Sequence, residues 1–259
     1  ATQLKAEGKT VADLKDDYTI AEMEAAGFAL SELVGSYTTA EFVDFEKGDS
    51  NTDIADLVTA GIDLSDLLTS YSITEFKAGD ISATQLKAEG KTVADLKDDY
   101  SVAQLLVAGY SISEMEAGGI TATQLKAENK TVADLFAHYA LADMLTAGFV
   151  IADFVTFEKD DNNTNITDLV TYGIALSDLL TSYEIAEFEA GGITATQLKA
   201  EGKTVADLKD DYSVAQLLVA LYTIAEMQAG GITAADLKAE EKTVADLFAH
   251  YALADMLTA

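Results

Sequence analysis

The sequence predicts an all-α protein, an α-solenoid of very short helices in repeats of about ten residues. Three features of the chain lead to this fold class. An apolar anchor recurs at intervals of 9 or 10 residues, with two gaps of 15. The same capping phrase surrounds each anchor, and a glycine follows many of them. We expect a single solenoid domain over residues 1–259.

Each anchor marks one repeat, and the chain contains 26 of them. The anchors are Leu4, Leu14, Met23, Leu33, Phe42, Leu57, Leu67, Phe76, Leu86, Leu96, Leu105, Met115, Leu125, Leu135, Met144, Phe154, Leu169, Leu179, Phe188, Leu198, Leu208, Leu217, Met227, Leu237, Leu247 and Met256. Such a short fixed period predicts small units stacked one on the next, with the anchors in a narrow core.

The residues before each anchor predict the start of a helix. Asp, Glu or Gln immediately precedes all 26 anchors, and Ser, Thr, Asp or Asn stands four residues before 19 of the 25 that have such a position. The segment from Thr131 to Leu135 is typical. This is the pattern of a capping box, in which the first residue caps the helix and the acid or Gln bonds back to its amide.

Helix ends are equally regular, because a glycine follows many anchors at the fourth position. Among these glycines are Gly8, Gly27, Gly61, Gly90, Gly109, Gly148, Gly173 and Gly202, and Asn129 takes the place once. Gly or Asn at this position favours a left-handed C-terminal cap. Each helix is then only about two turns long, roughly 10 Å. A helix of that length is marginal alone and must pack on its neighbours.

A longer period lies over the short one. The block ATQLKAE-x-KTVADL recurs 39 residues apart, so that Leu86 matches Leu125. The residue five before the anchor also cycles through four units, as Ile81, Lys91, Tyr100 and Tyr110. This cycle predicts four helices per superhelical turn of about 39 residues. The alternative is a zigzag of two helices and about 20 residues per layer, which leaves the four-unit cycle without a cause.

A third period of 112 residues indicates an internal duplication. Phe42 matches Phe154, and Leu86 matches Leu198. Each copy contains one stretch that departs from the repeat, and we expect irregular loops at residues 46–53 and 158–165.

Composition narrows the classes of partner. The chain has 45 acidic residues against 16 basic ones, a net charge of −29, so nucleic acids and anionic membranes would be repelled. It lacks Cys, which excludes disulfides and thiolate metal sites. No apolar run approaches the 18 or so residues of a membrane span, so membrane insertion is not expected.

Few residues of the chain are candidates for a catalytic or binding site. His138 and His250 are equivalent in the 112-residue duplication, and we interpret both as structural residues on an outer face. Neither a nucleophile with its base nor a phosphate-binding loop is indicated, so the protein is not expected to be an enzyme.

Rows of tyrosines, including Tyr100 and Tyr212, either bind sugars or partner proteins or only pack on the anchors.

The two irregular stretches carry alternating oxygen side chains. These are Asp49, Asn51 and Asp53 in the first copy, and Asp161, Asn163 and Asn165 in the second. The spacing is similar to the first half of a calcium-binding loop, and Ca²⁺ is the one cofactor that the sequence suggests. Ile54 or Ile166 follows in place of the usual Gly, and the Glu at the twelfth position is missing. The alternative is an Asx-rich turn whose last residue caps the next helix.

Together these features predict a non-enzymatic structural repeat protein, a component of a cell-surface or extracellular filament or assembly. Neither end carries a polar capping repeat, so we expect self-association end to end. The alternative is a solenoid scaffold or adhesin that binds a protein or glycan, in a calcium-dependent manner if the loops hold the ion. Glycosylation sequons at Asn129, Asn162 and Asn165 matter only in a secreted setting.

Overall fold

The computed structural model describes residues 1–48, 53–160 and 165–258, and every regular element in these ranges is a helix. Two compact units make up the chain, Ala1–Lys130 and Thr131–Ala259. The helices of the first unit are α1 (Thr2–Ala6), α2 (Val11–Leu14), α3 (Ile20–Ala25), α4 (Leu30–Leu33), α5 (Thr39–Gly48), α6 (Ile54–Ala60), α7 (Leu64–Leu67), α8 (Ile73–Ala78), α9 (Ala83–Ala88), α10 (Val93–Leu96), α11 (Val102–Val107), α12 (Ile112–Ala117) and α13 (Ala122–Ala127).

The second unit repeats the same kind of short helix. Its helices are α14 (Val132–Leu135), α15 (Leu141–Thr146), α16 (Ile151–Asp160), α17 (Ile166–Tyr172), α18 (Leu176–Leu179), α19 (Ile185–Ala190), α20 (Ala195–Ala200), α21 (Val205–Leu208), α22 (Val214–Val219), α23 (Ile224–Ala229), α24 (Ala234–Ala239), α25 (Val244–Leu247) and α26 (Leu253–Thr258). The predicted all-α solenoid of short repeated helices is confirmed.

Helix starts follow the predicted capping box. In α21 the amide of Asp207 donates to the Thr204 hydroxyl at 3.3 Å, and the amide of Thr204 donates to the Asp207 carboxylate at 2.7 Å. Reciprocal bonds of this kind satisfy amides that the first turn of a helix cannot pair internally. Where the cap residue is Ala29, only the second bond forms, from its amide to Glu32 at 2.6 Å.

Helix ends also agree with the prediction. The eight glycines named above have φ between 79° and 115°, as do Gly119, Gly192 and Gly231 at the same position, and Asn129 has φ 62°. Asp80, Leu221 and Glu241 adopt the same left-handed conformation at the equivalent position without being glycine. For an L residue this region costs roughly 1–2 kcal/mol, so the turn is imposed by the packing of the repeat.

Helices pack in layers of two. The closest packing joins helices that are two apart in the chain: α9 with α11, α10 with α12, α20 with α22, and α21 with α23. A layer therefore holds two helices and about 20 residues, in line with ten-residue units. The predicted turn of four helices is wrong, and the two-helix zigzag is the arrangement that the contacts show.

A close approach of backbones accompanies this stacking. A Cβ added at Gly79, after α8, would lie 3.0 Å from the Cβ of Ile54 at the start of α6. Gly118 stands against Val93, and Gly230 against Val205, in the same way. The end of one helix thus covers the first residue of the helix two before it, and glycine at the third position after the anchor permits the contact.

The core of each unit is the row of anchors. Every anchor from Leu14 to Met256 is buried, and Leu4 is half-buried. Truncating a buried leucine typically costs about 2–5 kcal/mol, so a continuous row of them supplies the main stabilisation of helices too short to persist alone.

Helices α5 and α16 differ from the rest, since each has ten residues. Glu46, Lys47 and Gly48 are therefore helical, and so are residues 158–160 in the second copy. Asp53 and Asn165, the last residues of the two stretches expected to be irregular, are described and are not helical. Residues 49–52 and 161–164 lie outside the described residues.

Candidate functional site

Tyrosine hydroxyls join each layer to the one before it. Tyr100 donates to the main-chain carbonyl of Ile81 at 2.6 Å, and Tyr110 donates to that of Lys91. Both bonds span 19 residues, the length of one layer. Equivalent bonds join Tyr37 to Tyr18, Tyr212 to Ile193, Tyr222 to Lys203 and Tyr251 to Ile232.

These bonds give the four-unit cycle its physical cause. In one layer, Ile and Lys stand five residues before the two anchors, and their main-chain carbonyls accept the hydrogen bonds. In the next layer, tyrosines stand at the same positions, and their hydroxyls donate. Tyr100 and Tyr110 are both buried, as are Tyr212 and Tyr222. The rings therefore lie between layers and do not present an open face of the kind that stacks on a sugar. The 39-residue period corresponds to two layers.

Lysines make a second set of ties, in the opposite direction along the chain. Lys87, which follows the anchor of α9, donates to the carbonyl of Gly109 at 2.6 Å. Its ammonium also lies 4.2 Å from the ring centre of Tyr110 and 3.5 Å from the Glu114 carboxylate. Lys5, Lys47, Lys77, Lys159 and Lys199 bond to a carbonyl and lie over a ring one layer on in the same way.

These lysine ties are not among the predictions from the capping pattern, although the sequence contains a signal for them. In four of the six ties, lysine stands directly after the anchor and an aromatic residue stands 23 residues further on, as with Lys87 and Tyr110. Lys47 and Lys159 stand five residues after their anchors, and their tyrosines stand 24 residues further on. A cation over a ring is worth about 0.5–1 kcal/mol at an exposed site. Each tie adds a hydrogen bond to that contact, so six of the sixteen lysines stabilise the stack.

Burial and hydrogen bonding shift the pKa values of the groups in the stack. Burial raises the pKa of Tyr100 and of Tyr212 to about 12. Among the capping acids, the hydrogen bond from the Thr204 hydroxyl, with one from its amide, lowers the pKa of Asp207. The amide of Ser111 lowers that of Glu114 most. The charged carboxylate and the neutral phenol are thus the forms that the folded chain favours.

The predicted calcium ligands are only partly described. Asp49, Asn51, Asp161 and Asn163 lie outside the described residues. The other two act as helix caps: the Asp53 side chain accepts from the amide of Asp56 at 3.0 Å, and that of Asn165 accepts from Asp168 at 3.1 Å. The interpretation that the last residue of each turn caps the next helix is therefore confirmed. Within the described ranges no three His, Asp or Glu side chains are grouped as metal ligands.

The two histidines are half-buried, and the main chain at one of them serves the stack. The Gln228 side chain donates to the carbonyl of His250 one layer on, at the position that lysine occupies in the other ties. His138 belongs to a stretch in which Phe136 packs on Tyr172, with ring centres 4.2 Å apart, and on Phe157 at 5.2 Å.

One groove of the first unit lies between α3 and α5. It has a volume of about 760 Å³ and is lined by Asp16, Asp17, Glu24, Glu41 and Asp44 among others. Tyr37 is one of the lining residues, and its hydroxyl donates to the carbonyl of Tyr18 at 2.5 Å. In the described part of the chain, no buried side-chain polar atom lacks a hydrogen-bond partner, so the groove offers carboxylates and no unsatisfied group aimed at a ligand.

Comparison with protein families, with curated proteins and with solved structures finds no match to this chain. Among the helices described, none combines the length and the apolar character that crossing a membrane requires.

Proposed function

We propose that the protein is a non-enzymatic structural repeat protein, a component of an assembly that forms by association of its end layers. The observation that carries this proposal is the use of its polar side chains. Six tyrosine hydroxyls and six lysine ammoniums, groups that could otherwise bind a ligand, bond to main-chain carbonyls of the adjacent layer. The capping acids likewise bond to the helix they start.

This use of side chains favours a mechanical role. Each layer adds the same set of bonds, so the stability of the stack grows with the number of layers. A net charge of −29 opposes association of copies through the rest of their surface. We place the protein at a cell surface or outside the cell, a proposal that rests on the absence of Cys and on the acidic composition.

A second function, as a scaffold that binds a protein or glycan, is favoured by one observation. Val219 and Leu221, in and just after α22, are 75% and 80% exposed although both are apolar. Val107, the equivalent of Val219 in the first unit, is also exposed. Exposed apolar side chains close together in the chain are a feature of contact surfaces.

Electron microscopy of the purified chain near neutral pH, with calcium and then with a chelator, tests the proposal. Particles joined end to end support the structural function. Their loss in chelator would assign calcium to the two loops that contain Asp53 and Asn165. Discrete single particles in both conditions would contradict it and favour the scaffold.

A further inference from the structure

The groove between α3 and α5 has a counterpart in the second unit, where the 112-residue duplication places α14 and α16. Each of these two pairs of helices packs together. In the second unit the counterpart is occupied by the chain's own rings. The ring centre of Phe136 lies 5.2 Å from that of Phe157 and 4.2 Å from that of Tyr172. Side chains of the chain itself thus form an aromatic cluster at this place.

The first unit keeps one ring of this cluster and loses the other two. Phe45, the equivalent of Phe157, is half-buried and lines the groove. Glu24 stands at the position of Phe136 and also lines the groove, and Ala60 replaces the tyrosine. The first unit therefore presents, along a groove of about 760 Å³, an aromatic floor that the second unit covers with its own side chains.

Charge distinguishes the two copies in the same way. In the part of the chain that the structure describes, the groove is lined by one lysine and five acids, which are Asp16, Asp17, Glu24, Glu41 and Asp44. Three of these five positions are uncharged in the second copy, as Asn129, Phe136 and Thr156. Only Glu41 directly precedes an anchor, so helix capping does not account for the other four acids. The groove with the uncovered ring is thus the more acidic one, and it favours a cationic occupant.

These features define the chemistry of the occupant. The guanidinium group of arginine stacks on aromatic rings and pairs with carboxylates through its planar fork. The chain has no arginine, and residues 49–52, which follow the groove in the sequence, are Asp, Ser, Asn and Thr. A second copy would bring its own net charge of −29 towards the same carboxylates. The occupant that fits is therefore a segment of a different protein.

We propose that the groove between α3 and α5 binds an arginine-bearing segment of a partner protein, with the guanidinium group stacked on Phe45 and paired with the surrounding carboxylates. This interaction goes beyond the structural function proposed above and requires no association of copies. It gives the array one attachment point, in the first copy of the duplication. Because the carboxylates are exposed, the interaction weakens as salt is raised.

Calorimetry of the full chain at low salt tests the proposal, with the blocked peptide acetyl-Gly-Arg-Gly-Arg-Gly-amide as the probe. We expect saturable binding of one peptide per chain, and weaker binding of the same peptide with lysine in place of arginine. Phe45→Ala leaves the net charge unchanged and should raise the dissociation constant about fivefold, because the cation loses its ring. No saturable binding, or equal affinity for the lysine peptide, would overturn the proposal.

Further variants separate the groove from the general attraction between a cationic peptide and an acidic chain. Glu24→Gln should raise the dissociation constant about threefold. Glu189→Gln is the matched control, because Glu189 is also exposed and directly follows its anchor, and it should leave the constant unchanged. Glu24→Phe combined with Ala60→Tyr copies the second unit and should abolish binding, with the helical circular dichroism retained. Equal effects of Glu24→Gln and Glu189→Gln, or full binding by the folded double variant, would show that net charge alone holds the peptide.

Discussion

At the scale of single residues, the stack tolerates local strain where the repeat demands it. Leu221 is an L residue with φ 61°, in the position that Gly109 occupies in the first unit. The main-chain carbonyl of Leu221 accepts a hydrogen bond from the Lys199 ammonium at 2.7 Å. This bond holds the turn and does not depend on the Leu221 side chain.

We expect Leu221→Gly to stabilise the chain by about 1 kcal/mol, because glycine removes the left-handed penalty and this gain exceeds its entropy cost. The free energy of unfolding in urea measures the effect. The reverse change, Gly109→Leu, is the control and should destabilise by a similar amount. Equal stability of both variants and the parent would show that the turn is not strained.

The tyrosines that join layers should also be visible in alkaline titration. Because burial raises the pKa of Tyr100 and Tyr212 from 10 to about 12, the folded state holds these protons more tightly than the unfolded state. Their contribution to stability is complete below pH 10 and is lost as the pH rises through 12. The ultraviolet absorbance of tyrosinate should therefore rise in two phases.

Tyr212→Phe should remove one equivalent from the later phase and cost about 1 kcal/mol, since it leaves the carbonyl of Ile193 without its donor. If all eleven tyrosines ionise together near pH 10, the hydroxyl ties do not persist in solution.

At the scale of one helix, the capping box decides where each element begins. The helices have four to ten residues, and most have six or fewer, so one lost cap removes a large share of the bonds that a helix makes. The capping phrase predicts the starts well because its bonds are local and lie three residues apart.

Two substitutions test this in opposite directions. Thr204→Ala should cost about 1 kcal/mol, because the amide of Asp207 loses its acceptor. Ala29→Thr should gain about 0.5–1 kcal/mol, because the α4 box already has the bond to Glu32 and lacks only the hydroxyl. Thermal unfolding measures both. A loss of stability in Ala29→Thr would mean that the cap position is sterically closed.

The layer was harder to predict than the helix. Anchors of nearly equal size recur in every unit, so the sequence does not distinguish a partner two helices away from one four helices away. The cycle of Ile81, Lys91, Tyr100 and Tyr110 predicts a turn with four sides, whereas in the structure it alternates between two kinds of layer. The contact that distinguishes the two arrangements is the hydrogen bond from the Tyr100 hydroxyl to a main-chain carbonyl. Every residue has such a carbonyl, so the amino acid at the acceptor position does not reveal the bond. Among the residues predicted as calcium ligands, Asp53 and Asn165 stand four residues before the next anchor. That spacing alone predicts that each caps the following helix.

At the scale of the whole molecule, charge opposes folding. The chain carries −29, and its capping acids are exposed carboxylates fixed along the whole array. Long-range repulsion of this kind is screened by salt, with a Debye length of about 10 Å at 0.1 M.

Raising sodium chloride from about 0.05 to 0.5 M should therefore raise the unfolding temperature, at a protein concentration low enough to avoid association. The exposed Lys87–Glu114 and Lys199–Glu226 pairs weaken in salt but contribute little. A lower unfolding temperature in salt would show that these local ion pairs outweigh the global repulsion.

The hydroxyl ties have a consequence for the evolution of the gene. Since each tyrosine bonds to a carbonyl that every residue possesses, as Tyr37 does with Tyr18 and Tyr212 with Ile193, a new layer needs no matching substitution below it. Unequal recombination between the gene segments that encode the closely similar residues 83–96 and 122–135, four helices apart, can then add or delete two whole layers in one step. The length of the array is thus a heritable quantity that varies by copy number rather than by point mutation.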